Sequence, residues 1–235
     1  MAVDLRGEAC KLFLRHRQFG VGVPGGLDAL IAFRLTAERV LQASPQRIAV
    51  LDLDLKNAFP NFEWGAIRES CHAHFPKLDA WLRWCHGEAS VVHLPSGAIV
   101  NADHGAEQGD PLGGIQAGAV ILDAVEAARA ELAESDIGFY DCWFLDDGQV
   151  FCDEANVEAV LQALDKHFAK AGATRGWGDD VKSVARILGG SAHGSHSDDE
   201  EWATPYVRGT CQIQPATTVP LAHVLGVDTD VVGGE

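Results

Sequence analysis

Four aspartates stand out by type and spacing. Asp52 and Asp54 lie two apart in the apolar run Arg47 to Leu55 (RIAVLDLDL), and Asp146 and Asp147 are adjacent in FLDDG. Carboxylates are hard oxygen donors suited to Mg2+ or Mn2+, ions that keep waters and substrate phosphates in their shells, so two or three aspartates suffice to hold them. Two such ions about 4 Å apart make a hydroxyl nucleophilic and stabilise the charge on phosphorus as it is attacked. An Asp-Asp-Gly step by itself is ordinary hairpin-turn chemistry. Its meaning depends on whether the chain brings it to Asp54.

The hydrophobic pattern supplies elements that can do so. Leu27 to Ala43 has helical periodicity and stops at Ser44-Pro45, after a glycine-rich loop from Gly20 to Gly26. Arg47 to Leu55 reads as a buried strand ending at Asp54. Phe62 to His74 and Leu78 to His86 read as helices, and Ser90 to Leu94 with Ala98 to Asn101 as a hairpin about Pro-Ser-Gly. A long helix with Pro111 as an early residue runs to Glu134, followed by two strands, GFYDCWFL and QVFC, around the acidic turn. Glu154 to Ala171 is an amphipathic helix, and Ser183 to Leu188 a last strand. The fold class is therefore α/β (α+β), with the β-α-β-β-α-β split order, in which the first strand lies beside the hairpin. Asp54 and Asp146-Asp147 would then meet at one edge of the sheet.

Composition bounds the reading. The chain has 235 residues, 47% of them hydrophobic, enough to bury a core. No apolar run reaches the roughly 20 residues of a membrane span, and no secretory leader opens the chain, which points to a nuclear or cytoplasmic setting and no membrane partner. Six scattered cysteines without a C-x-x-C pair read as reduced, mostly buried thiols, with Cys142 and Cys152 the one pair expected near each other, across the hairpin. The net charge of −16 argues against a passive nucleic-acid binder, which draws its affinity from Lys and Arg. The charge is uneven, +2 over residues 1–60 and −10 over residues 121–180. An acidic centre is what cation-gathering carboxylates produce. The polar stretch from Gly190 to Ala203 reads as a surface loop, and its His193 and His196 receive no role.

With these residues in view, DLKNAF (Asp54 to Phe59), EQGDPLGG (Glu107 to Gly114) and FLDDG (Phe144 to Gly148) resemble motifs A, B and C of reverse transcriptases, in order and spacing. Gln18 to Phe33 resembles the fingers segment of non-LTR retrotransposon enzymes. Lys182-Ser183 and Leu225-Gly226-Val227 resemble motifs D and E. The resemblance implies a polymerase palm with partial fingers at residues 1–45, motifs A to D within 46–190, and a piece at 191–235 leading to an absent thumb. It implies RNA-directed DNA synthesis, adding dNTPs to a DNA primer on an RNA template with two Mg2+ or Mn2+ ions. Asp54, Asp146 and Asp147 would be the metal ligands, joined by the Leu55 carbonyl. Phe59 would be the aromatic gate against a 2′-hydroxyl, Gln108 and Gly109 the template and nucleotide contacts, and Lys182 the general acid toward pyrophosphate.

The match departs from the family pattern at Gly113, where serine is common, at Phe144, where tyrosine is common, and before Lys182, where an asparagine is missing. The short segment before Gln18 and the absence of a thumb after Glu235 imply a truncated enzyme lacking its triphosphate clamp, a loss costly to the rate. Two alternatives stand beside it. One is a haloacid-dehalogenase-type phosphatase with Asp52 as nucleophile and Asp54 as acid/base, although its motif asks for a small residue where Lys56 stands. The other is a non-catalytic polymerase-like relic that binds nucleic acid.

Overall fold

The computed structural model describes residues 5–106, 109–176 and 183–190. In chain order these form helices α1 (Arg6–Arg15) and α2 (Gly26–Gln42), strand β1 (Arg47–Lys56), the short helix α3 (Ala58–Asn61), and helices α4 (Trp64–His74) and α5 (Asp79–Cys85). The hairpin strands β2 (Ser90–His93) and β3 (Ile99–Ala102) precede the long helix α6 (Gly113–Ala133). Strands β4 (Phe139–Phe144) and β5 (Asp147–Asp153), helix α7 (Val157–Lys170), and strands β6 (Thr174–Arg175) and β7 (Val184–Gly189) complete the order.

The main sheet runs β4-β5-β1, and β6 and β7 share the far edge of β1 end to end. All of its pairings are antiparallel. This is the strand order of the split β-α-β-β-α-β unit expected from the sequence. The β2–β3 hairpin stands apart, with β2 exposed along its whole length.

Side chains alternate across a strand, so β1 serves two cores. Leu51, Leu53 and Leu55 enter the main core with α4, α6 and α7, to which α1 adds Ala9 and Phe13. Ile48 and Val50 face the other way and join Phe151, Cys142 and the α2 residues Leu30 and Leu41. Helix α6 is buried on most of its circumference because α4 and α7 flank it, so its apolar residues form no single stripe. Among the described residues no helix is long and apolar enough to cross a membrane.

Several expectations shift in detail. Pro111 lies in the turn before α6, whose start is held by Asp110: its carboxylate accepts from the Leu112 N–H at 2.9 Å. A 3-10 turn occupies Glu154–Asn156, so α7 begins at Val157. The acidic hairpin turns at Leu145-Asp146, and Asp147 is already the first residue of β5. Helix α1 and the two-residue β6 were not foreseen. Cys142 and Cys152 do not approach one another. Cys142 is paired with Gln149 and Cys152 with Phe139, and the two thiols enter different cores on opposite faces of the sheet. Among the described cysteines none is disulfide-bonded to another.

Candidate functional site

β1 and β5 are in register from Ile48↔Asp153 to Asp54↔Asp147. Directly opposed residues point to the same face, so the carboxylates of Asp54 and Asp147 share one end of the sheet. Asp146 is in the adjoining turn. Asp54 and Asp147 thus come together, with Asp146 one residue before Asp147 in the turn. Asp54 and Asp146 are half-buried and Asp147 is exposed. Like charges directly opposed in a sheet repel, and a divalent cation between them reverses the sign of that interaction.

The same face carries Asp52 and Gln149, and α2 packs over Ile48 and Val50 and borders the space beside them with Ile31, Arg34, Leu35 and Glu38. What is left open is a groove of about 640 Å³. Its floor includes Asp52, Asp54, Asp147 and Gln149, and its wall includes Arg34 and Arg186. Asp52 is held at both oxygens, by Gln149 Nε2 at 2.6 Å and by an Arg186 guanidinium nitrogen at 3.2 Å. Arg186 also donates to Glu38 at 2.8 Å. These partners keep the Arg186 guanidinium protonated against its burial. Each Asp52 oxygen accepts one of these bonds, which fixes the carboxylate on the floor of the groove.

Local backbone chemistry fixes Asp54. Its N–H donates to the buried Ser183 Oγ at 3.2 Å, and its carbonyl accepts from the Gly176 N–H at 3.0 Å. Gly148 is forced by its cross-strand partner Trp143, since a Cβ there would lie 2.4 Å from the Trp143 ring. Leu145 occupies the first turn position at φ 55°. Glycine or Asn/Asp usually takes such a place, and another residue is held in the left-handed region at a cost of about 1–2 kcal/mol.

The remaining candidates separate. The Leu55 side chain is in the core, so only its backbone faces outward chemistry. Phe59, in α3 just after the left-handed Asn57, is half-buried against the main core, and its carbonyl accepts from the Ala106 N–H at 2.7 Å. The Gly105 N–H donates to the Phe62 carbonyl at 2.6 Å. A Cβ at Gly105 would lie 2.6 Å from the Pro60 oxygen, so this contact requires glycine. The 105–106 backbone is therefore docked onto the Phe59 turn. Gly109 itself sits at φ 95° with open space around it. Neither Phe59 nor Gly109 lines the groove. Gln108, Lys182 and Leu225 to Val227 lie outside the described residues.

Sequence reasoning gave no role to Gln18 and Arg17, which lie against the outer edge of β4. Arg17 donates to both the carbonyl and the carboxylate of the buried Asp141, at 2.6 and 3.1 Å, and Arg129 and the Trp143 indole complete that carboxylate's partners. No periodicity or motif marks the Arg17–Asp141 contacts, because they join residues 124 positions apart.

The donor set suits divalent cations. Among the described residues no three His, Cys, Asp or Glu side chains stand close enough to cage an ion on their own. Magnesium bound for phosphate chemistry does not require such a cage, since one or two carboxylates with substrate phosphates and waters fill its shell. Two opposed aspartates with a third in the next turn fit that mode.

No family model matches this chain, and no curated protein matches it. Solved structures do. The telomerase of Candida albicans, solved with a fragment of telomeric RNA, superimposes with a TM-score of 0.55 at 14% identity, covering 77% of this chain and 33% of that one. Apo telomerase from Candida tropicalis gives a TM-score of 0.53 at 16% identity, covering 81% of this chain and 36% of that one. The chain spans about a third of the length of these telomerases. At such identity the likeness concerns fold alone: the chain shares the α+β fold of part of these telomerases.

Proposed function

We propose that this chain is the palm of an RNA-directed DNA polymerase, adding dNTPs to a primer 3′-hydroxyl by two-metal nucleotidyl transfer. The observation that carries the proposal is the Asp54↔Asp147 register, which brings a motif A aspartate to the motif C turn at the open end of the sheet. Asp54, Asp146 and Asp147 hold the cations, whose chemistry is to activate the primer hydroxyl and to stabilise charge at the phosphorus. The Leu55 carbonyl is a further oxygen donor, and Phe59 stands as the gate that favours deoxynucleotides. Gln108 and Gly109 contact template and nucleotide, and Lys182 protonates the departing pyrophosphate. The motif resemblance points to a retrotransposon enzyme, acting on RNA with a DNA primer in the nucleus or cytoplasm. The RNA named with the Candida albicans telomerase agrees with a nucleic-acid partner.

The test is extension of a DNA primer on an RNA template with Mg2+ or Mn2+, comparing the unmodified chain with Asp146→Asn. Extension that the variant lacks supports the reading. Equal signal from both leaves the scaffold that only binds nucleic acid.

A further inference from the structure

Gln18 is a polar residue only 3% exposed, and its amide is spent almost wholly on one other residue. Its Oε1 accepts from the Leu145 N–H at 2.8 Å, and its Nε2 donates to the Leu145 carbonyl at 2.9 Å. The same Oε1 accepts from the Gly20 N–H at 3.1 Å. The backbone around it is anchored to β4: the Phe19 N–H donates to the Trp143 carbonyl at 2.7 Å, and the Trp143 N–H to the Arg17 carbonyl at 2.8 Å. Close approach is enforced at Gly20, where a Cβ would lie 2.5 Å from the Leu145 nitrogen.

A side-chain amide here takes the place of a neighbouring strand. It satisfies both backbone groups of Leu145, the non-glycine residue at φ 55° that opens the acidic turn. A backbone outlier persists when its surroundings over-determine it, and Gln18 with Gly20 does so. The next two residues are Asp146 and Asp147.

We propose that Gln18 is a positioning residue: by clamping Leu145 in its left-handed conformation, it aims the Asp146 and Asp147 carboxylates at the site they share with Asp54. This rests on the polymerase reading, in which those carboxylates hold cations. Misplacement of reacting groups by about 1 Å costs on the order of 100-fold in rate, so the clamp is part of the site although it touches neither metal nor substrate.

The experiment uses the full chain and measures Mn2+ affinity by electron paramagnetic resonance, with amide exchange at Leu145 followed by NMR and folding checked by thermal melts. Gln18→Leu should weaken Mn2+ binding by about tenfold or more and speed exchange at the Leu145 N–H. Leu145→Gly, added to Gln18→Leu, should recover affinity, because glycine takes positive φ without outside support. If Gln18→Leu does not fold, Gln18→Glu, which keeps the acceptor and loses the donor, makes the same comparison. Wild-type affinity in the folded Gln18 variant, or no recovery with Leu145→Gly, overturns the positioning role alone. Mn2+ binding in the wild type that Asp146→Asn leaves unchanged overturns the polymerase reading, and the role with it.

Discussion

Asp54 and Asp147 are direct cross-strand partners at the last rung of the β1–β5 ladder. One rung pair back, Asp52 faces Gln149 and has Arg186 as its counter-ion. Two aspartates on one strand face thus have different surroundings, and different consequences follow on substitution. Asp54→Asn should lower primer extension by at least about 100-fold. Asp52→Asn should stay within about tenfold of wild type, because Glu38 retains Arg186. Single-turnover incorporation rates for the two variants check this, and phosphate release from a generic ester that Asp52→Asn abolishes and Asp147→Asn leaves intact would favour the phosphatase chemistry.

Phe59 turns on the docking of the 105–106 backbone onto α3. Phe59→Ala should raise the ratio of ribonucleotide to deoxynucleotide incorporation by about tenfold or more, since a steric gate discriminates through one clash. The ratio of kcat/KM values for a matched rNTP and dNTP measures it.

The Trp143 ring over Gly148 leaves no space for a methyl group. Gly148→Ala should cost about 1–3 kcal/mol as an overpacked core does, read as a lower urea midpoint. Adding Trp143→Leu should return part of that loss.

His74 and Asp123 pair at 2.6 Å between α4 and α6. The hydrogen bond to Asp123 raises the His74 pKa. A raised folded-state value means that the pair stabilises fully below the ordinary histidine pKa of about 6.5, and that this contribution disappears as pH rises through the folded value. The Tm difference between wild type and His74→Gln should therefore be larger at pH 5.5 than at pH 8.5.

Burial raises the thiol pKa of Cys71 to about 12, of Cys142 to about 11 and of Cys152 to about 12. These three should resist iodoacetamide at pH 8 in the native chain and react in denaturant, as peptide mapping would show.

The sheet and its acidic end were legible in the sequence because both rest on local patterns. The apolar run before Asp54, the strands flanking the acidic turn and the amphipathic α7 each show their period within a few residues, and strand order follows from the split motif. The Leu145 turn was read one residue late, since FLDD offers no glycine to mark where φ turns positive. The two-residue β6 is too short to carry a period. Gln18 and Arg17 were invisible as partners of the hairpin because the bonds they form connect the segment after the first helix to β4 and its turn far along the chain, and no spacing rule encodes such a contact. Asp52 and Asp54 share one strand face in LDLDL; the spacing to Phe59 selects Asp54, and the register gives the two different partners, Gln149 and Asp147.

The most direct measurement replaces the bound cation with Fe2+ and maps where hydroxyl radicals cut the backbone in the presence of ascorbate and peroxide. Cuts should appear together beside Asp54 and beside Asp146-Asp147, and either Asp54→Asn or Asp146→Asn should remove both. A cut beside Asp146 that survives Asp54→Asn, or cleavage confined to other parts of the chain, would contradict a cation site shared by β1 and the acidic turn.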